Sequence, residues 1–267
     1  MVWFLCQDIK FCDICSVFAQ NENLVGSARD KIFSSGGERI FAMLKVVVFD
    51  GGYGGEFFAD QLEEEVPIIE VIRVIDWRNA KQLLTSPRNA RKVAQNALRP
   101  YIGKVDLIIL ANHLLTITSL KYFKRKYKEQ KFIGLNLQSP DTFVKRDVLI
   151  LTTKAVTRTI NYRNFIFQIR RKSLTLALDE WPAEIDDGEL TEQEIRDTLE
   201  NNLIKKNIHP GEIILACSQF NDIKPILRDI FGRNLKIYDS FNTTIRNTCK
   251  ILRIRGSLKK PKYKSKR

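Results

Sequence analysis

One short stretch limits what this chain can become: Met43-Leu-Lys-Val-Val-Val-Phe-Asp50 runs directly into Gly51-Gly52-Tyr53-Gly54-Gly55. The first part is apolar without alternation, which suits a strand covered on both faces, as in a parallel sheet between helices. Four glycines in the next five positions let the chain turn sharply and bring backbone amides close to an anion. The spacing and the strand-end Asp50 differ from the GxGxxG dinucleotide pattern, and no Gly-Lys-Ser/Thr follows to make a Walker loop.

The same character recurs downstream. Strands are expected at Leu44–Phe49, Ile68–Ile75, Val105–Ala111, Lys131–Leu135, Val148–Thr152, Ile213–Ala216 and Leu235–Tyr238. Between them lie helical stretches at Glu56–Glu65, Pro87–Pro100, Leu115–Gln130, Glu192–Lys206 and Asp222–Phe231. Thr191-Glu-Gln-Glu194 has the form of a capping box. This alternation predicts an α/β fold with mainly parallel sheets flanked by helices. Asn161–Gly188 is the least legible part, with room for a helix and a loop around Trp181-Pro182. In such sheets ligands sit beyond the carboxyl ends of the strands, so those ends are where function is sought.

A chain of 267 residues with 44% hydrophobic content can bury one sizeable core or two smaller lobes. No apolar run approaches the roughly 18 residues of a membrane helix. The apolar start, Met1 to Leu5, is interrupted by Asp8, Lys10 and Asp13, unlike a signal peptide, so a cytoplasmic address is expected. Five cysteines are too few for a disulfide scaffold. Cys12-Asp-Ile-Cys15 has no second pair, and His113 and His209 are the only histidines, so no metal site is expected. Residues 1–42 show no sustained period. The abrupt change at Met43 leads us to expect a natural start there, with 1–42 as translated upstream sequence; the plain alternative is a surface extension. From Lys250 to Arg267 there are nine basic residues and no acid, out of a net charge of +13. A disordered basic tail over 256–267 is expected, and with no recognisable nucleic-acid motif such a partner is not.

Two internal echoes suggest related halves. Ile108-Ile-Leu-Ala-Asn112-His113 resembles Ile213-Ile-Leu-Ala-Cys217-Ser218, and Val46-Val-Val-Phe-Asp50-Gly51 resembles Leu235-Lys-Ile-Tyr-Asp239-Ser240. Their positions at strand ends predict two similar lobes facing each other across an active-site cleft.

These segments resemble those of the cofactor-independent aspartate/glutamate racemase superfamily, glutamate racemases most of all. That family ends its first strand in Asp-Ser-Gly-x-Gly-Gly, where this chain has Asp50-Gly51-Gly52-Tyr53-Gly54-Gly55. Its second catalytic segment, Gly-Cys-Thr-His-Tyr/Phe-Pro, is similar to Ala216-Cys217-Ser218-Gln219-Phe220-Asn221. Its late Ile-Asp-Ser resembles Ile237-Tyr238-Asp239-Ser240, and its Gly-Thr-x-x-Thr faintly resembles Thr152-Thr153-Lys154-Ala155-Val156. The resemblance runs from about Met43 to Leu252. It implies two opposed cysteines that remove and return the α-proton of an acidic amino acid such as glutamate on opposite faces. It also implies no metal, pyridoxal phosphate or nucleotide, often a homodimer, and D-glutamate for peptidoglycan as the product's use.

The departures are specific. Cys217 fits the second cysteine, but the first should lie in Ala-Cys-Asn-Thr, and here the chain reads Ala111-Asn112-His113-Leu114. In the register of the internal echo Asn112 takes the thiol's place, and an amide cannot act as a base. His113 could, displaced by one residue. The family's histidine after the second cysteine is Gln219, and its Pro-Tyr-Gly has no match after Asp76. Three readings stand open. One is a divergent racemase using Cys217 with His113 or a water. Another is a one-thiol enzyme, such as a decarboxylase, that protonates from one face. The third is a binding protein without turnover. The expected site comprises Cys217, Asp50, Asn112 and His113 as reacting or assisting groups, with Gly51, Thr153 and Ser218 holding a carboxylate. The first lobe is expected over 43–134, completed by a strand and helix within 234–255, and the second over 135–233.

Overall fold

The computed structural model describes residues 43–135, 143, 147–169 and 172–254. The expected N-terminal extension with its Cys12–Cys15 pair and the basic tail at 256–267 lie outside the described residues.

The first half runs β1 (Leu44–Asp50), α1 (Tyr53–Glu65), β2 (Ile69–Ile75), α2 (Ala80–Thr85), α3 (Pro87–Leu98), β3 (Leu107–Leu110), α4 (His113–Lys126) and β4 (Phe132–Gly134). The second runs β5 (Val148–Thr152), α5 (Lys154–Thr157), α6 (Ile160–Gln168), β6 (Ser173–Ala177), α7 (Trp181–Asp187), α8 (Glu192–Lys206), β7 (Glu212–Leu215), α9 (Lys224–Phe231) and β8 (Lys236–Tyr238), and α10 (Phe241–Leu252) closes the described chain. The sheets are ordered β2-β1-β3-β4 and β6-β5-β7-β8, with every pairing parallel. The architecture is therefore α/β with two similar four-stranded lobes.

Alternate residues of each strand face opposite layers. In the first lobe Val46, Val48 and Ile109 pack on Phe58 and Leu62 of α1 and on Phe241 and Ile245 of α10. Val47, Phe49, Ile108 and Leu110 pack on Ala90, Ala94 and Leu98 of α3 and on Leu115 and Phe123 of α4. In the second lobe Leu149, Leu151, Ile213 and Leu215 meet Trp181, Ile195, Leu199 and Leu227. On the other face Val148, Ile150 and Ile214 share a cluster with Leu114 of α4, which ties the lobes together. Both faces of every central strand are covered, which is why those strands read as unbroken apolar runs.

Two expectations need correction. The strand at 235–238 does not complete the first lobe: as β8 it pairs with β7 at the edge of the second sheet, and α10 alone packs on the first sheet. The echo between Val46–Gly51 and Leu235–Ser240 is not a structural equivalence either, since β1 is second in its sheet and β8 last. The other echo is one, because β3 and β7 hold the same third place.

Candidate active site

The glycine turn after β1 lies against the loop after β7 so closely that side chains would not fit. A Cβ on Gly54 would stand 2.4 Å from Ser218 Cβ and Oγ, and one on Gly55 would stand 2.4 Å from Asp50 Cβ. The glycines thus permit backbone from one lobe to touch the other. What they enclose is a cluster of buried polar groups from both lobes.

Asp50 is wholly buried. Its Oδ1 accepts from the Gly51 amide at 2.7 Å and from the Asn112 side-chain amide at 3.1 Å, and its Oδ2 accepts from the Ser218 hydroxyl at 3.0 Å. Burial raises its carboxyl to about 7, against the opposing pull of these three hydrogen bonds. Asn112 is also the N-cap of α4, its side-chain oxygen accepting from the Leu115 amide at 2.9 Å. It therefore spends both ends of its amide, one on a helix and one on Asp50.

Cys217 is 4% exposed and donates to Gln219 Oε1 at 3.0 Å. Burial pushes its thiol well above the ordinary range, and the Asp50 charge adds to this. Ser218 Oγ also lies 3.0 Å from Gln219 Oε1. The Gln219 amide nitrogen in turn donates to Asp186 Oδ2 at 3.4 Å. Asp186, at the end of α7, accepts the Tyr53 backbone amide at 3.1 Å. That amide opens α1, whose N-cap, Gly52, has no side chain to cap it. A carboxylate from the second lobe thus occupies the positive end of a first-lobe helix. Burial raises the Asp186 carboxyl to about 6.

Of the residues singled out in the sequence, Asp50, Gly51, Asn112, Cys217 and Ser218 come together. His113 and Thr153 do not join their hydrogen-bond network. His113 Nε2 lies 3.1 Å from Ser240 Oγ, and its buried Nδ1 has no partner among the described residues. Burial lowers its pKa to about 4, opposed by the Asp239 charge. Asp239 itself is tied to the buried Lys224. The ring is thus held neutral in a separate polar cluster. Thr153 is buried at the start of α5, where its carbonyl accepts from Val156 and Thr157. Its neighbour Thr152 stands on β5 where Asp50 stands on β1, and its buried hydroxyl has no partner among the described residues.

Asp186 carried no signal in the sequence, because it lies in the least legible segment and belongs to no quoted motif. Gln219 was visible only as a departure. Among the described residues no three His, Cys, Asp or Glu side chains gather as a metal site, and no helix is long and apolar enough to cross a membrane. The arrangement is closed where the lobes meet, with Asp186 on the Tyr53 amide. It presents one thiol beside one high-pKa carboxyl, with an amide in place of a second thiol.

No protein-family model matches the chain. A glutamate racemase of Clostridium perfringens is 23% identical over 210 residues, 74% of this chain and 79% of that protein. The structure of Escherichia coli glutamate racemase with L-glutamate and the activator UDP-MurNAc-Ala superposes with a TM-score of 0.66 at 16% identity, covering 83% of this chain and 87% of that one. Francisella tularensis glutamate racemase with D-glutamate gives 0.64 at 19% identity, covering 83% and 86%.

Proposed function

We propose that this chain, a member of the aspartate/glutamate racemase superfamily in sequence and fold, binds a small acidic amino acid between its lobes and exchanges its α-proton on one face only, through Cys217. The observation that carries this reading is the pair of strand ends at β3 and β7. At equivalent positions they present Asn112 and Cys217, an amide that cannot take a proton and a thiol that can. The reading does not assign the missing base to His113, because its Nε2 lies against Ser240, outside the hydrogen bonds that join Asp50, Asn112 and Ser218.

Glutamate is the first substrate to try, because two structural neighbours were solved with its enantiomers. Its carboxylate would displace Asp186 from the amide at Tyr53. Its ammonium would bring a cation beside the thiol and Asp50, lowering the thiol's pKa toward a usable thiolate. The thiolate then takes the α-proton and returns a proton to the same face. Each cycle restores the amino acid without inversion, so net D-glutamate for peptidoglycan would not be produced. Side chains alone carry these steps.

The protonated state of the thiol favours one further reading. A thiol with a raised pKa is a proton donor, and loss of carbon dioxide from a malonate-type acid leaves an electron pair at carbon that such a donor can quench. Solvent would then return a proton to the Cys217 thiolate, restoring the thiol for the next cycle.

Both readings rest on Cys217. With the enantiomers of glutamate and aspartate in heavy water, deuterium should enter Cα of one enantiomer in the native protein and of neither in Cys217→Ser. Carbon dioxide release from a substituted malonate, without exchange of any amino acid, would select the second reading instead.

A further inference from the structure

Residues 77–131 hold thirteen Lys and Arg against only Asp106 and Glu129, a net +11 in a chain whose total is +13. The basicity is therefore shared between this span and the nine cations from Lys250 to Arg267. Within this span α3 and α4 contain no acidic residue at all. Helix surfaces commonly mix signs through i,i+4 pairs. In the second lobe α8, which holds the place of α3, does so: Arg196 bridges Glu192 and Asp229.

The two basic helices lie side by side on one face of the first sheet. The Arg91 guanidinium donates to Ser119 Oγ and to the Thr118 carbonyl, each at 3.1 Å, and the Gln95 amide donates to the Tyr122 hydroxyl at 2.7 Å. Arg91 also sits 4.8 Å above the Tyr122 ring, with Lys126 at 5.6 Å from it. Flanking this seam are exposed cations: Arg88 and Lys92 on α3 with Arg99 just past its end, then Lys121 and Arg125 on α4 with Lys128 just past its end. Arg99, Lys126 and Tyr127 border an open groove of about 500 Å³ at the end of the seam.

Helix stability does not account for the pattern. Lys124, Arg125 and Lys126 suit the carboxyl end of α4, but Arg88 lies in the first turn of α3, where a cation opposes the helix dipole. None of these cations forms an ion pair with a carboxylate among the described residues. Among the described residues the large exposed apolar side chains lie elsewhere, so the face lacks the apolar stripe that a bilayer-seated helix buries. Two parallel rows of unpaired cations complement a chain of phosphates.

We propose that the α3–α4 face binds the phosphodiester backbone of nucleic acid without reading sequence. Such binding is set by phosphate contacts and falls steeply with salt. The test measures anisotropy of fluorescein-labelled duplex DNA, and of RNA of the same sequence, with the full chain across a salt series. R88Q/K92Q/K121Q/R125Q is compared with K259Q/K260Q/K262Q/K264Q, which removes the same number of charges from the tail. The face variant should lose at least about tenfold in affinity, and its log–log salt slope should fall by about 3, given roughly 0.9 per phosphate contact. The tail variant should lose several-fold less, and the DNA and RNA arms identify the physiological polymer by affinity. In the native protein, bound nucleic acid should also protect Lys92 and Lys121 from acetylation. Absent binding, equal or larger losses in the tail variant, or tight binding only to phosphatidylglycerol vesicles would each overturn the proposal.

Discussion

Asn112 and Cys217 occupy the same place in two sheets of the same strand order, the residue after the third strand and its Ala, and only one of them bears a thiol. Asn112 is also bound to its surroundings, holding Asp50 at 3.1 Å and capping α4. The site is thus asymmetric in chemistry although the two strands hold equivalent places in their sheets.

Restoring symmetry should restore inversion. Asn112→Cys should convert one-faced exchange into interconversion of the enantiomers, followed by circular dichroism of the amino acid. Losing the cap should lower stability by about 1 kcal/mol. A variant that folds and still exchanges one enantiomer without inversion would show that position 112 is not the second proton site.

Opening the closed interface should expose the thiol. In Gly54→Ala the new Cβ meets Ser218 at 2.4 Å and the Gln219 backbone nitrogen at 2.8 Å, an overpacking worth about 1–3 kcal/mol. Lobe separation relieves it. Iodoacetamide labelling at Cys217, followed by mass spectrometry, should be faster in this variant than in the native protein by at least the factor of ten that about 1.4 kcal/mol represents.

Asp186 competes for the place a substrate carboxylate would take at the Tyr53 amide. Asp186→Asn keeps an oxygen that can accept from that amide but removes the charge. Glutamate should bind several-fold more tightly by calorimetry. Unchanged or weaker binding would mean that the ligand carboxylate sits elsewhere.

The pH dependence of stability should show two opposed contributions. Asp50, at about 7 when folded and 3.8 ordinarily, binds more protons in the folded state, so stability falls as pH rises through that window. His113, at about 4 when folded and 6.5 ordinarily, binds more protons when unfolded, so stability rises with pH between those values. Asp50→Asn should leave the histidine's rising slope between about pH 4 and 6.5, and His113→Asn should leave the falling one. Urea unfolding at a series of pH values reads both slopes, each on the order of a few kcal/mol across its window.

Much of the fold was legible because its central strands are buried on both faces: β1, β3, β5 and β7 could not hide their unbroken apolar character. β6 escaped notice because it is an edge strand whose buried and partly exposed residues alternate. Assigning 235–238 to the first lobe failed because an edge strand of three residues carries no mark of its partner. In the site, Asp50, Asn112, Cys217 and Ser218 were readable as strand-end residues. Asp186 was not, since its role arises from the meeting of two lobes. His113 read as a base from its residue type; in the fold burial lowers its pKa to about 4 and its Nε2 lies against Ser240.

The central claim is that proton transfer at this site has one face. The direct measurement is α-proton exchange of L- and D-glutamate in heavy water, followed by NMR together with the stereochemistry of the labelled product. Exchange confined to one enantiomer, with configuration retained, is the predicted result. Exchange of both enantiomers with interconversion would contradict it, because a second proton-transferring group would then have to stand opposite Cys217.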